Sequence, residues 1–180
     1  DDTAVVGLVE EVGRAAFPCP LLATLNATYV LAACGSTGEA ALAEIVEGRT
    51  ASLAITNRQG SWDSVDTDVR CAQGRLNVTA WFVQDARKVD RLLVSAQTSS
   101  GQALYWVATD ADGVTVIPDA IVDLTRDQAH VTFDNAVAQE VSADGLAALT
   151  QAMPAIWTLL AADIAGAAEW QLQATVEYVN

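Results

Sequence analysis

Residues 76–98, LNVTAWFVQDARKVDRLLVSAQT, decide the fold class of this chain. Two segments rich in Val, Leu, Thr and aromatic residues, LNVTAWFV and RLLVSAQT, lie on either side of a short polar link. Residues of these types favour β-strands. The stretch therefore predicts two successive strands joined by a polar connection.

Strand-like segments of the same composition recur over residues 51–141, and turn signals at AQG, SSGQ, DADG and FDNA separate them. DADG resembles the start of a calcium loop but lacks the later acidic ligands, so we interpret it as a hairpin turn. Many short strands at this spacing predict an antiparallel barrel or sandwich instead of alternating βαβ units. The further strand segments are ASLAIT, VDTDVRCA, ALYWVAT, VTVIP, HVTF and AVAQEV.

Helical patterns precede this β-rich region. Apolar residues recur at three- and four-residue spacing in residues 3–17, and the sequence PCP ends that pattern. A second helix follows in LLATLNATYVLAAC. A third is predicted within residues 35–49, where Ser36 and Glu39 have the spacing of a capping box and Gly48 supplies the stop.

A helical pattern also follows the β-rich region. Ser142 and Asp144 are candidates to cap its first turn, and Pro154 suits the first position of a longer helix. That helix is apolar nearly all round until Glu169. A helix with so little polar surface normally packs against other helices, and this chain offers too few of them. We therefore expect either that the sequence is cut off at Asn180 or that a partner covers the helix.

These patterns predict an α+β multidomain architecture. We expect a helical N-terminal part over residues 1–49, an antiparallel β-barrel or sandwich domain over residues 50–141, and the start of a C-terminal helical domain over residues 142–180. An apolar content of 52% with 18% charged residues is that of a folded chain.

The charge of the chain excludes some partners. Nine Lys and Arg against 23 Asp and Glu give a formal net charge of −14, which repels nucleic acid and anionic membranes. Apolar runs fall short of the roughly 20 residues that span a bilayer, and acids stand where a signal peptide has its basic region. We expect a cytoplasmic protein whose three cysteines are reduced thiols.

Few residues carry chemistry that the sequence alone identifies. His130 is the only histidine and lies in a strand pattern, where a structural role is the usual one. The sequence has no Cys/His cluster for a metal and no phosphate-binding glycine loop. We expect Asp66 and Asp68 to lie on a solvated strand face, and Arg87 and Lys88 to be loop charges.

Aromatic residues remain as candidates for a binding site. Trp62 lies in the polar loop of SLAITNRQGSWDS, and Trp81 and Phe82 are neighbours in a strand. Successive strand residues point to opposite faces, so we expect one of these two rings in the core. The other ring covers a subunit or domain contact, or it flanks a planar cofactor beside the hydrogen-bonding groups of Thr56 and Gln84.

Five segments in order resemble the acyl-CoA dehydrogenases, especially actinobacterial ones, over almost the whole chain. They are VGLVEEVGRAAFPCPLLATL, GSTGEAALAEIVEGRTASLAIT, GRLNVTAWFVQDARKVDRLLVSAQT, HVTFDNAVA and LLAADIAGAAEWQLQATVEYVN. The resemblance implies helical domains on both sides of a β-barrel-like domain, enclosing FAD and an acyl-CoA. It implies α,β-dehydrogenation to a 2-enoyl-CoA by a glutamate base, an electron-transfer flavoprotein as acceptor, and a homo- or hetero-oligomer such as a dimer of dimers.

The resemblance also implies positions for flavin contacts. The family's TEPxxGSD loop falls on residues 56–63, where Thr56 keeps the hydroxyl beside the flavin ring. The family's Trp-Ile-Thr falls on residues 82–84, where Gln84 replaces the threonine. The residues implied to bind the cofactor are Leu53, Ile55, Thr56, Gly60, Ser61, Phe82 and Gln84.

Departures from the family pattern leave the role of the chain open. Asn57 and Arg58 replace Glu-Pro of the loop, and Ile156 stands where some branches carry the catalytic glutamate. The RxQFG segment and the usual glutamate lie beyond Asn180, so no catalytic residue is predicted. The chain is either the flavin- and acyl-CoA-binding β-domain of an acyl-CoA dehydrogenase or a degenerate subunit that scaffolds an active partner. A third hypothesis, a β-sandwich binding module with helical flanks, leaves the ordered match unexplained.

Overall fold

The computed structural model describes residues 2–63, 66–123 and 125–179. Within these ranges, four α-helices flank the strands: α1 (Asp2–Arg14), α2 (Leu21–Ala33), α3 (Glu39–Val46) and α4 (Gly145–Val179). A short 3₁₀ turn, Gly35–Gly38, joins α2 to α3.

Eight strands lie between α3 and α4 in the described part of the chain: β1 (Ala51–Ala54), β2 (Arg70–Ala72), β3 (Arg75–Gln84), β4 (Arg91–Thr98), β5 (Gly101–Ala108), β6 (Val114–Pro118), β7 (Gln128–Val137) and β8 (Gln139–Ser142). They form one sheet in the order β6-β7-β3-β2-β4-β5-β8, and β1 pairs with β4. Most pairs are antiparallel, whereas β1 and β2 each run parallel to β4. The α+β fold class is confirmed, while the three domain boundaries stay a prediction.

Strand β4 contributes to two cores because its alternate residues point to opposite faces. Leu92 lies in an apolar cluster formed within the β-domain, and Leu93 lies in a second cluster beneath the helices. On the neighbouring β5, Tyr105 and Trp106 divide in the same way. Burial on both faces explains why these two strands are continuous apolar runs in the sequence.

Two glycines allow α1 and α4 to cross in close contact. A Cβ atom on Gly166 would lie 1.9 Å from the backbone oxygen of Glu10, and one on Gly13 would lie 2.1 Å from that of Asp163. Both obstacles are backbone atoms, which no side-chain rotation moves away.

Two predictions about the start of α4 are wrong. Pro154 lies inside α4 rather than at its start, since buried Leu149 and Ile156 hold the helix against the sheet on both sides of it. Asp144 does cap the first turn, with its carboxylate 3.1 Å from the N–H of Ala147. Ser142, however, belongs to β8.

The predicted capping box of Ser36 and Glu39 is also absent. The 3₁₀ turn begins the helical run earlier, and α3 has no side-chain bond at its N-terminus. The turn packs closely on α2, because a Cβ atom on Gly38 would lie 2.2 Å from the oxygen of Leu31. Gly48, with φ +102°, ends the helix as predicted.

The segment FDNA is a bulge within β7 and not a tight turn. The register of β7 against β3 shifts there, and Asn135 takes a φ of 57°. The N–H of Asn135 donates to Oδ1 of Asn77, at 3.0 Å. Pairing with β3 continues beyond the bulge, which a hairpin turn would have ended, whereas pairing with β6 stops at Phe133.

The predicted turn DADG brings Gly113 against this bulge. We expect Gly113→Ala to lower the free energy of unfolding by about 3 kcal/mol, because its Cβ would lie 2.3 Å from the oxygen of Asp134 at a φ of +82°. Gly74→Ala is the control, since Gly74 has a similar φ of +71° with nothing within 4 Å; it should cost only about 1 kcal/mol. Equal losses in urea unfolding would show that the close contact with β7 is unimportant.

Helix α4 is long and apolar enough to cross a membrane by length and composition, although 44% of its apolar window is buried inside the protein. Its buried residues pack on the sheet and on α1, as in the core helix of many soluble proteins. The predicted absence of a membrane partner stays a prediction.

Candidate functional site

Asn57 organises the loop that follows β1. Its buried side-chain oxygen accepts hydrogen bonds from the N–H groups of Gln59 and Ser61, at 3.0 and 2.9 Å. Its backbone oxygen accepts the N–H of Gly60 at 3.0 Å. The loop is therefore closed by its own asparagine, and these three N–H groups are engaged within the chain.

Two acids hold the loop from the side. Oδ2 of Asp68 accepts the N–H of Arg58 at 2.8 Å, and Oδ2 of Asp66 accepts the hydroxyl of Ser61 at 2.7 Å. Neither acid lies on a strand, contrary to prediction, because β2 begins only at Arg70. Asp66 is exposed, as predicted, and Asp68 is half-buried. Both acids are close to the loop in the sequence. Their hydrogen bonds to Arg58 and Ser61 could be seen only in the structure.

A bulge in β3 places the two neighbouring aromatic residues. Ala80 pairs with Val131 and Val83 with Ala129, so Trp81 and Phe82 together oppose one residue of β7, His130. Phe82 takes a φ of 54°, a conformation that is uncommon for a bulky residue.

Neither ring enters the core, contrary to prediction. Phe82 is 39% exposed, and Trp81 is half-buried. Trp81 stacks on His130 at 5.2 Å between ring centroids and lies beneath the guanidinium of Arg58. Nδ1 of His130 lies 2.9 Å from Oδ1 of Asp119, which agrees with a structural role for this histidine.

Phe82 instead borders a small cavity between α2, β1 and β3. The cavity has a volume of about 20 Å³, which is room for a single water molecule. Five of the seven predicted cofactor-binding residues line it: Leu53, Ile55, Thr56, Phe82 and Gln84. The other lining residues are Ala23, Asn26, Ser52 and Trp62.

The two remaining predicted residues, Gly60 and Ser61, do not line the cavity. A Cβ atom on Gly60 would lie 3.8 Å from the Phe82 ring, so the backbone of Gly60 lies behind that ring. Ser61 does not line the cavity, and its hydroxyl donates to Asp66. The structure thus brings together six of the seven predicted residues and leaves Ser61 facing away.

Polar groups in the cavity are few and buried. Thr56 is 4% exposed and Asn26 is 3% exposed. The hydroxyl of Ser52 donates to the backbone oxygen of Gln84 at 2.6 Å and is thereby used within the chain. None of the nine lining residues is acidic, and Ile156 is fully buried in the core beneath α4.

Trp62 separates this cavity from a larger cleft. The cleft has a volume of about 580 Å³ and is lined by Trp62, Asp63 and residues of α4, namely Thr150, Met153, Pro154 and Trp157. Trp62 is 43% exposed and lines both spaces. The volume of the cleft is in the range typical of small-molecule sites.

Solved acyl-CoA dehydrogenase structures match the chain over most of its length. A variant of the Tcur3481–Tcur3483 steroid ACAD aligns with 99% of this chain and 50% of its own, at 27% identity and a TM-score of 0.82. The chain has the acyl-CoA dehydrogenase fold. The resemblance inferred from the sequence is confirmed.

Two further structures share the acyl-CoA dehydrogenase fold. The ChsE4–ChsE5 complex from Mycobacterium tuberculosis matches 96% of this chain and 48% of its own, at 25% identity and a TM-score of 0.75. A glutaryl-CoA dehydrogenase from Mycobacterium smegmatis in complex with FADH2 matches 72% of this chain and 36% of its own, at 21% identity and a TM-score of 0.63. This chain spans about half or less of the length of these structures. No protein-family model matches the sequence, and a comparison with curated proteins found no match.

A charge cluster beyond Gln84 ties the β-domain of this acyl-CoA dehydrogenase fold to α4. Arg126 donates to both carboxylate oxygens of Asp163 on α4, at 3.0 and 2.8 Å. Arg87 bonds to buried Asp127, and Lys88 lies 3.1 Å from Asp85. The basic pair predicted to be loop charges therefore neutralises buried acids.

The charged form of Asp85 is destabilised by its burial in this cluster. Burial raises the pKa of its carboxyl group above the ordinary value, and Lys88 opposes the shift only in part. Because the folded pKa is the higher one, the free energy of unfolding falls as pH rises from about 4 through that raised pKa. We expect Asp85→Asn to be more stable than wild type at pH 7, and the two to converge below pH of about 4.

Urea unfolding at both pH values tests this expectation. Asp112→Asn, in an exposed turn, removes one negative charge without changing a buried group. If Asp112→Asn stabilises the protein as much as Asp85→Asn does, the effect comes from the net charge of the chain and not from burial.

Proposed function

We propose that this chain is part of an FAD-dependent acyl-CoA dehydrogenase, in which its β-domain supplies one wall of the flavin and acyl-CoA site. The assembly would oxidise an acyl-CoA thioester to a 2-enoyl-CoA. One observation carries the proposal: five residues predicted for the flavin site, from two separate stretches of the chain, line a single cavity. The fold and the FADH2-bound glutaryl-CoA dehydrogenase structure support it.

The side chains that line the cavity are of the types that bind a flavin ring. Apolar and aromatic side chains of Leu53, Ile55 and Phe82 suit the face of a planar ring, and Thr56 and Gln84 offer hydrogen bonds to its edge. A cavity of about 20 Å³ does not accept a three-ring system while Trp62 stays in place. Binding by this chain therefore requires the indole of Trp62 to turn towards the cleft.

A second candidate function is supported by other observations. The chain would then be a degenerate subunit that scaffolds an active partner and holds little FAD itself. Asn57 already engages the loop N–H groups, and no acid lines the cavity. Two of the similar structures described above, the Tcur3481–Tcur3483 steroid ACAD and the ChsE4–ChsE5 complex, are each named for two components.

Partners and location follow from the same proposal. In it, the assembly is a homo- or hetero-oligomer, such as a dimer of dimers, that binds an acyl-CoA and passes electrons to an electron-transfer flavoprotein in the cytoplasm. The exposed apolar side chains on the second half of α4 support an oligomer or a further helical layer: Ile164, Trp170, Leu172, Val176, Tyr178 and Val179.

Flavin absorbance of the purified protein tests the proposal. About one FAD per chain would support the first function. Colourless protein that becomes yellow only with a second subunit would support the scaffolding function. If neither the chain nor its complex holds flavin, both are overturned. Turnover of an acyl-CoA by residues 1–180 alone would contradict the inference that this chain has no catalytic base.

A further inference from the structure

Asn26 is an unusual residue for its place in the fold. It lies in the middle of α2, whose sequence LLATLNATYVLAA is otherwise apolar apart from two threonines and a tyrosine. Asparagine is a poor helix former, and at 3% exposure its amide has almost no access to solvent. A helix that only packs in the core gains nothing from this residue.

The amide of Asn26 also has an unused acceptor. Its Oδ1 is buried and has no hydrogen-bond partner among the described residues. The two threonines on either side differ in this respect, since Thr24 donates to the oxygen of Pro20 and Thr28 to that of Thr24, both at 2.8 Å. Buried polar groups are normally paired, so an orphan acceptor at a cavity wall indicates a missing donor.

Asn26 borders the cavity described above, together with Thr56 and Gln84. We propose that Asn26 is a ligand-contacting residue, whose side-chain oxygen accepts a hydrogen bond from an N–H group of the flavin ring. This inference rests on the proposed function and adds to it a contact from the helical region. The resemblance to the family assigned flavin contacts only to β1, its following loop and β3.

The contact has a chemical consequence for the ligand. Phe82 and the apolar side chains offer a face to any flat ring, whereas the carbonyl oxygen of Asn26 selects a ring with a donor at its edge. Oxidised flavin has one ring N–H, in its pyrimidine portion. Asn26 therefore favours flavin over planar rings that carry only acceptors.

The test measures FAD affinity in wild type, Asn26→Leu and Asn26→Ala. Each is also made in a Trp62→Ala background, in which the cavity opens to the cleft. Thr28→Val is the control, because it removes a polar group from the same helix whose hydrogen bond stays within the helix. We expect both Asn26 variants to bind FAD about tenfold more weakly, and Thr28→Val to bind it as wild type does. The melting temperature of the FAD-free Asn26 variants should stay equal or rise, because they lose an unpaired buried acceptor.

Three results overturn the inference. Unchanged FAD affinity in the Asn26 variants rejects the contact and leaves the proposed function intact. A clear drop in the melting temperature of both FAD-free variants identifies Asn26 as a structural residue. If neither wild type nor Trp62→Ala binds FAD, alone or with a partner subunit, the contact and the proposed function fall together.

Discussion

Gly166→Ala is expected to separate α1 from α4 and to lower the free energy of unfolding by about 3 kcal/mol. The added Cβ would lie 1.9 Å from the backbone oxygen of Glu10 and 2.8 Å from the N–H nitrogen of Arg14. Relief requires the two helices to move apart, which exposes buried Val9 and Leu159 between them. The loss should therefore exceed that of an ordinary surface substitution, although alanine is the better helix former.

Urea unfolding and amide exchange over α1 measure this effect. Gly7→Ala is the matched control on α1, because a Cβ there meets nothing within 4 Å; it should stabilise the protein by roughly 0.5–1 kcal/mol. Gly13→Ala adds a Cβ to α1 at the same crossing, where it would lie 2.1 Å from the backbone oxygen of Asp163 on α4. The double variant Gly13→Ala/Gly166→Ala should lose less than the sum of the two, since the helices separate only once. Full additivity, or a stable Gly166→Ala, would contradict the close crossing.

Phe82→Ala and Trp62→Ala are expected to change FAD affinity in opposite directions. Phe82 forms a wall of the cavity, and losing its ring should weaken binding about tenfold. Trp62 separates the cavity from the cleft, so removing its indole should strengthen binding or make it detectable. FAD titration monitored by flavin fluorescence measures both changes.

Trp170→Ala is the control for the loss of an exposed tryptophan, since Trp170 lies on α4 away from the cavity. It should leave FAD affinity unchanged. Equal effects of Phe82→Ala and Trp62→Ala, or stronger binding in Phe82→Ala, would count against the assignment of Phe82 and Thr56 to one flavin site.

The elements of the β-domain were largely predictable because their signals are local. Alternating residues in β3 and apolar runs in β4 and β5 reflect which faces those strands bury. The turns at AQG, SSGQ and DADG follow from residue types that favour turns. FDNA carries the same turn signal, yet β7 continues through it because β3 keeps pairing with it on both sides.

Helix ends were harder to predict than helices. Pro154 has the properties of a first helical residue, but the helix extends to Gly145 because burial against the sheet outweighs one lost backbone hydrogen bond. Ser36 and Glu39 have capping-box spacing, but a 3₁₀ turn packed on α2 replaces the cap. In both places tertiary contact overrides a local preference.

The sequence by itself determined most of the succession of helices and strands, the family resemblance and five of the nine residues that line the cavity, because each is carried by neighbours along the chain. Only the tertiary structure decided how those residues meet. Asn57 closes its loop with help from Asp66 and Asp68, a bulge turns Phe82 towards the cavity, and two distant glycines set the crossing of α1 and α4. These features depend on distances between residues far apart in sequence, and residue types alone do not contain those distances.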